Sequence, residues 1–500
     1  MRVGAVGNAR RAGRLRSDRR VMLVVFTVAL LARLLPAALH GGLRTWGTYD
    51  DGVYFAGADA LIHGRIPYGQ FVLLHPPGVL VVLAPFAWFG SITSDGLGFV
   101  IARVAFMLIG AVNAVLAARI ARRWGSRAAL VAGLAYALSA AAIYAERTVM
   151  LEGLGNLCLL GALVLLSRRK PSMLLAGLVL GLGVSVKIWG IVPLVVVAAW
   201  VWWRQGRRDS LVLASGAVLS ATVVCLPFFL LSPRSMLRYV VADQLGRPRT
   251  SLTIIDRIGF LAGFGKDGLG GVGGVAIAVL LLVLVVLAAG VGYLAWQVAT
   301  ARLAVVLGAV LALMLVATPS MYLQYGAVLA APVAVVIGAA STRLELAPFS
   351  RVPAPRRLAA VVLVLAALAA PSLARPNGSR LPDAISKTAA GIQGCITADD
   401  STLLILADAL TLDLERGCRV WVDVSGLGFD RDAVPPLAGQ APSASADNPV
   451  WQQQVMGYLG SGDATMIVRR ATALSAESLA RVASWPPLTP PGRVVLLDTR

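Results

Sequence analysis

Two adjacent carboxylates follow the first long apolar segment of the chain. The segment runs from about Val21 to Ala38, and Asp50 and Asp51 come shortly after it. A carboxylate held near a membrane surface can take a proton from an attacking hydroxyl, which is the task of a general base. Such a pair is also common at a helix N-cap or in a solvated turn, and the spacing alone favours that structural interpretation.

Basic residues further along the chain offer sites for an anionic group. Lys187 interrupts an apolar stretch and can hold a phosphate as a point charge, although snorkelling to the interface is the alternative. The predicted outer loop 232–270 is rich in basic residues, where the positive-inside pattern allows few. Arg247 and Arg249 flank Pro248 in this loop. Binding of lipid phosphates and a solvated loop explain their charge equally well.

Polar residues inside or beside apolar segments are the next candidates. Glu152 lies just inside a predicted span, where a carboxylate is costly, so a functional role is at least as well supported as a hydrogen-bonded structural one. Glu146 and Arg147 share an outer turn, and one interpretation pairs them with each other. Three residues that begin a later span either line a cavity or belong to the interfacial aromatic belt. They are Tyr322, Gln324 and Tyr325.

Membrane spans must position most of these residues. Of the 500 residues, 58% are hydrophobic and 14% are charged, whereas soluble domains contain about 25% charged residues. Apolar stretches near the roughly 20 residues of a bilayer-spanning helix recur along the first three quarters of the chain. The net charge of +20 is concentrated in the N-terminal tail and in short loops. This is the pattern of cytoplasmic loops, so we expect no nucleic-acid partner.

The apolar segments predict a multi-pass protein of the cell (plasma) membrane, with about eleven spans and a cytoplasmic N-terminus. The piece Pro77–Phe89 is short for a span and is predicted to be interfacial or re-entrant. An odd number of spans places the C-terminal segment outside the cytoplasm. The predicted divisions are a cytoplasmic basic tail (1–20), a transmembrane domain (21–374) with outer loops 41–97 and 232–270, and an extracytoplasmic domain (375–500).

The C-terminal segment is polar and alternates between strand-like and helix-like runs, which indicates a small α/β domain. Cys395 and Cys418 lie in it, and an oxidising compartment favours a disulfide over two free thiols. The segment shows no catalytic constellation, and its acidic residues, Asp423 among them, receive no role. The predicted strands are Thr402–Ala407, Arg419–Val424, Thr465–Val468 and Arg493–Leu497, and the predicted helices are Asp408–Arg416, Pro449–Leu459 and Ser475–Ala483.

The first outer loop resembles that of the GT-C glycosyltransferases, most closely family 39, with the protein O-mannosyltransferases and the lipid A aminoarabinose transferases. That family has an Asp-Glu pair after its first helix, an aromatic residue shortly behind the pair, and a Lys-Pro-Pro motif further on. Asp50 falls on the catalytic Asp, and Asp51 replaces the Glu. His75 stands at the Lys position, followed by Pro76 and Pro77. These departures leave open the donor head group and any divalent metal ion.

The resemblance implies a GT-C-like fold, a polytopic all-α membrane protein with a small extracytoplasmic α/β domain at its C-terminus. Asp50 and Asp51 would be catalytic. Several basic residues would bind the donor phosphate, and several aromatic and polar residues would line the cavity. The phosphate-binding set is Lys187, Arg247, Arg249, His75 and Arg103, and the cavity-lining set is Tyr54, Glu152, Tyr322, Gln324 and Tyr325.

The implied function is an inverting transfer of a hexose, such as mannose, or a pentose from a polyprenyl-phosphate donor. The acceptor would be an extracytoplasmic hydroxyl of a cell-envelope glycan, a glycolipid or a protein, and no nucleotide-binding fold is expected. Two other classes share the architecture. A lipid-linked sugar transporter or flippase predicts gating features on both faces and an internal repeat, which the sequence does not show. A non-catalytic membrane scaffold predicts that Asp50 and Asp51 are dispensable.

Overall fold

Helices dominate the chain up to residue 375. The computed structural model describes residues 2–247, 252–262, 274–344, 353–375, 378–435, 447–468 and 474–500, so the predicted site residue Arg249 lies outside the described residues. In chain order the helices are α1 (Arg2–Leu39), α2 (Tyr49–Ile62), α3 (Gly78–Ser91), α4 (Asp95–Ala121), α5 (Ser126–Ala137), α6 (Ala140–Glu146), α7 (Leu151–Leu166), α8 (Met173–Val186), α9 (Ile191–Gln205), α10 (Arg207–Leu231), α11 (Pro233–Leu237), α12 (Asp243–Leu245), α13 (Ile254–Ala262), α14 (Gly274–Trp296), α15 (Arg302–Ala317), α16 (Ala330–Leu344) and α17 (Ala354–Ala374).

Many of these helices have the length and composition of membrane spans. Within the described ranges, seven helical segments are long and apolar enough to cross a bilayer, or eight if α5 and α6, which meet at 58°, form one bent span. Shorter apolar helices, among them α3, α7 and α8, stand beside them. The protein is therefore a multi-pass membrane protein, and the total of about eleven spans stays a prediction.

The helix α14 shows where the bilayer contacts the protein. Its most apolar stretch of 18 residues has a mean hydropathy of 3.1, yet only 6% of that stretch is buried inside the protein. Large apolar side chains such as Leu282, Val286 and Leu287 are exposed on it. A surface this apolar is stable in contact with lipid tails and not with water.

A three-stranded sheet distinguishes the C-terminal segment, as the alternating pattern predicted. The strands β1 (Ile396–Ala398), β2 (Ala464–Ile467) and β3 (Val495–Asp498) lie in the order β1-β2-β3. β1 pairs with β2 in parallel, and β2 pairs with β3 antiparallel. The surrounding helices are α18 (Asp383–Ala390), α19 (Ser401–Leu406), α20 (Leu410–Glu415), α21 (Pro449–Leu459) and α22 (Ala476–Ser484). The domain boundaries stay a prediction.

Two of the predicted strands are wrong. Thr402–Ala407 falls on the helix α19, and Arg419–Val424 forms no strand. The side chain of Asp400 accepts a hydrogen bond from the backbone N–H of Thr402 and so caps the N-terminus of α19. A short, fully buried apolar run has no periodicity that separates strand from helix, so this cap decides between them.

The C-terminal domain rests directly on the first outer loop. The helix α19 packs against α2, and a Cβ atom at Gly52 would collide with both the side chain and the backbone of Thr402. Next to this contact, the hydroxyl of Thr411 donates to Asp95 at 2.6 Å and lies 3.2 Å from Asp59. The domain therefore covers the end of the helix bundle from which α2 and its loop project.

Glu146 and Arg147 do not pair with each other, which was one of the interpretations that the sequence left open. Arg33 forms an ion pair of 2.5 Å with Glu146, and both side chains are fully buried. Tyr136 also donates to Glu146, at 2.6 Å, whereas Arg147 donates to the backbone carbonyl of Ser372. Two charges buried among apolar helices need partners of opposite charge, and this network ties α1 to the α5–α6 bend.

Candidate active site

A cavity of about 440 Å³ lies where the first outer loop, the helix bundle and the C-terminal domain meet. Its walls carry acidic and basic side chains, and aromatic rings surround them. Polar and aromatic residues that line it are Tyr49, Asp50, Tyr54, His75, Tyr144, Glu152, Lys187, Arg247, Tyr322, Gln324, Tyr325 and Asp423. A concave site with a few convergent polar groups is the usual form of a small-molecule site.

Asp50 is placed in the cavity by the start of α2. It lies in the first turn of that helix and is half-buried, and the side-chain amide of Gln324 donates to its Oδ2 at 3.2 Å. Burial, and to a smaller extent the nearby carboxylate of Asp423, raise the pKa of Asp50 to about 6, although Arg247 and Lys187 oppose the shift. Asp50 is therefore ionised at neutral pH but basic enough to accept a proton.

Lys187 lies where the helix α8 ends. The backbone there is extended, with φ of −146°, and this break in the helical hydrogen bonding turns the side chain toward the cavity. Its Nζ lies 2.6 Å from Glu152 Oε1 and 4.3 Å from the ring centres of both Trp189 and Tyr325. A cation held between a carboxylate and two aromatic faces is fixed in position.

The Lys187–Glu152 pair also borders an apolar pocket. Both residues line it, together with side chains of the bundle such as Leu159, Leu180 and Leu311. The pair therefore stands at the junction between a polar cavity and an apolar cleft. Charged and apolar side chains therefore meet at this junction.

Arg247 and His75 complete the polar wall. The Nε–H of Arg247 is buried and has no hydrogen-bond partner among the described residues, while its guanidinium lies 5.4 Å from the ring centre of Phe429. Burial, with Lys187 and Arg247 nearby, holds the pKa of His75 well below its usual range, so its ring is neutral. A buried N–H donor without an acceptor is costly unless a ligand supplies one.

Asp423 comes from the C-terminal domain and was missed by sequence reasoning. Its Oδ1 accepts hydrogen bonds from the Tyr49 hydroxyl at 2.8 Å and from the backbone N–H of Gly426 at 2.7 Å. It follows a short apolar run, as other loop acids of the same domain do, so no local signal marks it. Only the docking of the domain brings it beside Asp50, which precedes it by more than 370 residues.

Comparison with known proteins places this site in a known fold. The model of glycosyltransferase family 87 matches residues 73–319. The structure of ArnT from Cupriavidus metallidurans in the apo state is similar, with a TM-score of 0.60, 16% identity, and coverage of 96% of this chain and 97% of that chain. The chain has the GT-C fold.

Two further GT-C structures show the same likeness with ligands present. ArnT from Cupriavidus metallidurans bound to undecaprenyl phosphate has a TM-score of 0.58 at 16% identity, covering 96% of this chain and 98% of that one. Archaeal oligosaccharyltransferase AglB from Archaeoglobus fulgidus, in complex with an inhibitory peptide and a dolichol-phosphate, has a TM-score of 0.54 at 12% identity, covering 90% and 69%. A comparison with curated proteins finds no match.

The resemblance of the first outer loop to the GT-C glycosyltransferases is thus confirmed, although the matching family model is family 87 and not family 39. Most predicted site residues meet in the candidate active-site cavity. Those lining it are Asp50, Tyr54, His75, Glu152, Lys187, Arg247, Tyr322, Gln324 and Tyr325.

Asp51 and Arg103 stand apart from the rest. Both side chains are fully buried, and Arg103 binds Asp51 through two nitrogens at 2.6 and 3.1 Å. Neither lines the cavity. Both nitrogens donate to the same oxygen, Asp51 Oδ2. A buried ion pair of this kind neutralises both charges internally, so the geometry gives Asp51 a structural position and leaves Arg103 no access to a donor phosphate.

The disulfide between Cys395 and Cys418 is present in the structure. It lies outside the cavity, beside the first outer loop, where Arg65 donates to the carbonyl of Cys418 at 2.8 Å. Within the described ranges, Cys395, Asp413 and Cys418 are the group with metal-ligand spacing, and the disulfide occupies both sulfurs.

Proposed function

We propose that the protein is an inverting glycosyltransferase that moves a sugar from a polyprenyl-phosphate donor to an acceptor hydroxyl on the extracytoplasmic side. The observation that carries this is the Lys187–Glu152 pair at the junction of the polar cavity and the apolar pocket. A lipid tail fits the apolar side and a phosphate fits beside Lys187. ArnT bound to undecaprenyl phosphate and AglB with a dolichol-phosphate support a lipid donor in this fold.

In the proposed reaction, Asp50 takes the proton of the acceptor hydroxyl as its oxygen attacks the anomeric carbon. The bond from that carbon to the phosphate oxygen breaks, and polyprenyl phosphate leaves from the opposite face. Lys187 and the unpartnered N–H of Arg247 stabilise the negative charge that develops on the phosphate. A single displacement of this kind inverts the anomeric configuration.

The orientation belongs to the same proposal. The basic N-terminal tail would remain in the cytoplasm, and the C-terminal domain with its disulfide would lie outside. The cavity would then open to the extracytoplasmic side, where polyprenyl-phosphate sugars are used without nucleotide. Mannose or a pentose is the proposed sugar, and a cell-envelope glycan, a glycolipid or a protein is the proposed acceptor.

The test is transfer from radiolabelled polyprenyl-phosphate-mannose, and then from the pentose donor, in membranes that contain the protein. We expect the wild type to transfer sugar and Asp50→Asn to lose transfer by at least about 100-fold, the lower range for a general base. Asp383→Asn is the matched control, because Asp383 is exposed on α18 and does not line the cavity. Equal transfer by wild type and Asp50→Asn would remove Asp50 from the mechanism.

A further inference from the structure

A second cavity of about 240 Å³ adjoins the candidate active site. The two cavities share their walls. Residues 68–72 line the second cavity and residues 73–75 line the first, while a loop of the C-terminal domain contributes to both. Asp423 lines both cavities, and the hydroxyl of Tyr68 donates to the backbone carbonyl of His75 at 2.8 Å. A ligand bound in the second cavity therefore lies next to the candidate active site.

The lining of this second cavity combines aromatic rings with hydrogen-bonding side chains. Trp421 is stacked on the fully buried Tyr458, with ring centres 4.3 Å apart and planes within 11°. This stacking fixes the orientation of the indole before any ligand binds. Tyr68, Phe71 and Tyr239 also border the cavity. The C–H faces of a sugar ring are apolar and pack on such surfaces.

The polar groups favour a neutral ligand that can both donate and accept hydrogen bonds. Arg419 supplies donors, Gln454 supplies both donors and an acceptor, and Asp423 and Asp430 supply acceptors. The lining carries the cation Arg419 and the carboxylates Asp423 and Asp430. Arg238 forms an ion pair of 2.9 Å with Asp430. These two cations balance the two carboxylates, so the cavity has no excess of positive charge for a phosphate. Its volume is below the roughly 300–1,000 Å³ of typical small-molecule pockets, which suits a sugar ring better than a lipid or a folded peptide.

We propose that this second cavity, bounded by Tyr68, Trp421, Gln454 and Asp423, is an acceptor subsite that binds one sugar unit of a glycan while the neighbouring unit presents its hydroxyl to Asp50. The inference rests on the proposed function, because it assigns the acceptor of that same reaction. It narrows the acceptor to a glycan chain or to the glycan part of a glycolipid. It also gives the C-terminal domain a role in acceptor binding.

The test is a direct binding measurement on the full-length protein in lipid nanodiscs. The probes are trisaccharides of mannose, glucose, galactose and arabinose, titrated by calorimetry. We expect at least one trisaccharide to bind, and Gln454→Ala and Arg419→Ala to weaken its binding about tenfold, in line with the loss of one or two hydrogen bonds. Gln453→Ala is the matched control, because Gln453 is the exposed neighbour on α21 and does not line the cavity.

Two results would overturn the subsite. One is that no trisaccharide binds, and the other is that Gln453→Ala and Gln454→Ala weaken binding equally. Undecaprenyl phosphate is titrated separately, and we expect its binding to be unchanged in the Gln454 and Arg419 variants. If the wild type binds undecaprenyl phosphate but no trisaccharide, the acceptor subsite fails and the donor proposal stands. If it binds a trisaccharide through Gln454 but no undecaprenyl phosphate, the donor proposal fails instead.

Discussion

Asp50 and Asp51 are adjacent in the chain, yet Asp50 lines the candidate active-site cavity, whereas Asp51 is fully buried and paired with Arg103. Successive residues of a helix point about 100° apart, so one turn of α2 serves two purposes. The Asp51–Arg103 pair ties α2 to α4, and Arg103 also donates to the backbone carbonyl of Leu43. The pair thereby holds the loop that presents Asp50.

Removal of Arg103 should therefore lower stability. We expect Arg103→Ala to destabilise the protein by about 3–5 kcal/mol, because Asp51 would be left as an uncompensated buried charge. Thermal unfolding followed by tryptophan fluorescence in detergent measures the effect. Arg103→Lys, which keeps the charge but cannot form both hydrogen bonds to Asp51, should fall between Arg103→Ala and the wild type. An Arg103→Ala protein with unchanged melting temperature and lost donor binding would instead assign Arg103 to the donor phosphate.

The rate of sugar transfer should fall in acid as Asp50 becomes protonated. Its pKa of about 6 means that the deprotonated base is present above pH 6 and is lost as the pH falls through that value. Below it, kcat/KM should drop about tenfold per pH unit. A pH–rate profile between pH 4.5 and about 8 checks this. A flat profile across this range would argue against Asp50 as the base.

The acid limb of that profile should move in opposite directions in two variants. Asp423→Asn removes a negative charge that raises the pKa of Asp50, so the limb should shift to lower pH. Arg247→Gln removes a positive charge that lowers this pKa, so the limb should shift to higher pH. The sign of each shift, read from the pH profile of kcat/KM, is the result that matters. A shift of both variants in the same direction would contradict the electrostatic arrangement.

Lys187 should contribute to donor affinity more than to the folding of the bundle. We expect Lys187→Gln to weaken binding of undecaprenyl phosphate by roughly 10- to 100-fold, the value of one charge-assisted hydrogen bond. Lys187→Arg should retain part of the affinity, and Glu152→Gln should not weaken it, because the cation is kept. Calorimetric titration in nanodiscs distinguishes these variants. If Lys187→Gln binds undecaprenyl phosphate like the wild type, Lys187 pairs only with Glu152 and does not bind the donor phosphate.

The contact between the C-terminal domain and α2 should weaken as the pH rises. Burial raises the pKa of Asp59 from its ordinary 3.8 to about 8, with a further contribution from Asp95. The folded protein then binds more protons than the unfolded chain between about pH 4 and pH 8, so this stability is present at low pH and is lost as the pH approaches 8.

Asp59→Asn tests this dependence. The variant should lose most of the pH slope of the melting temperature and be more stable than the wild type near pH 8, on the order of a few kcal/mol. Its amide N–H can still donate to the hydroxyl of Thr411, whose own proton goes to Asp95. Asp383→Asn, at an exposed site, should leave the slope unchanged. Identical slopes for wild type and Asp59→Asn would show that Asp59 is not the group that titrates.

The sequence by itself determined the membrane character and much of the site. Apolar segment length and basic loops are local properties, and they identified the spans that surround Lys187 and Glu152. The family motif selected Asp50 and His75 because both follow short, recognisable patterns. In the C-terminal domain, the helix predicted at Pro449–Leu459 coincides with α21, since Asn448 caps it and Pro449 can occupy its first turn.

Only the tertiary structure decided which charges face the cavity and which neutralise one another. The motif treats Asp50 and Asp51 alike, and their separation depends on the position of Arg103 across a helix interface. Glu146 takes Arg33 as its partner and not the adjacent Arg147 for the same reason. Asp423 reaches Asp50 because the C-terminal domain docks through the close approach of Gly52 to Thr402. Such contacts join residues separated by tens to hundreds of positions, and their energies depend on packing that no local pattern contains.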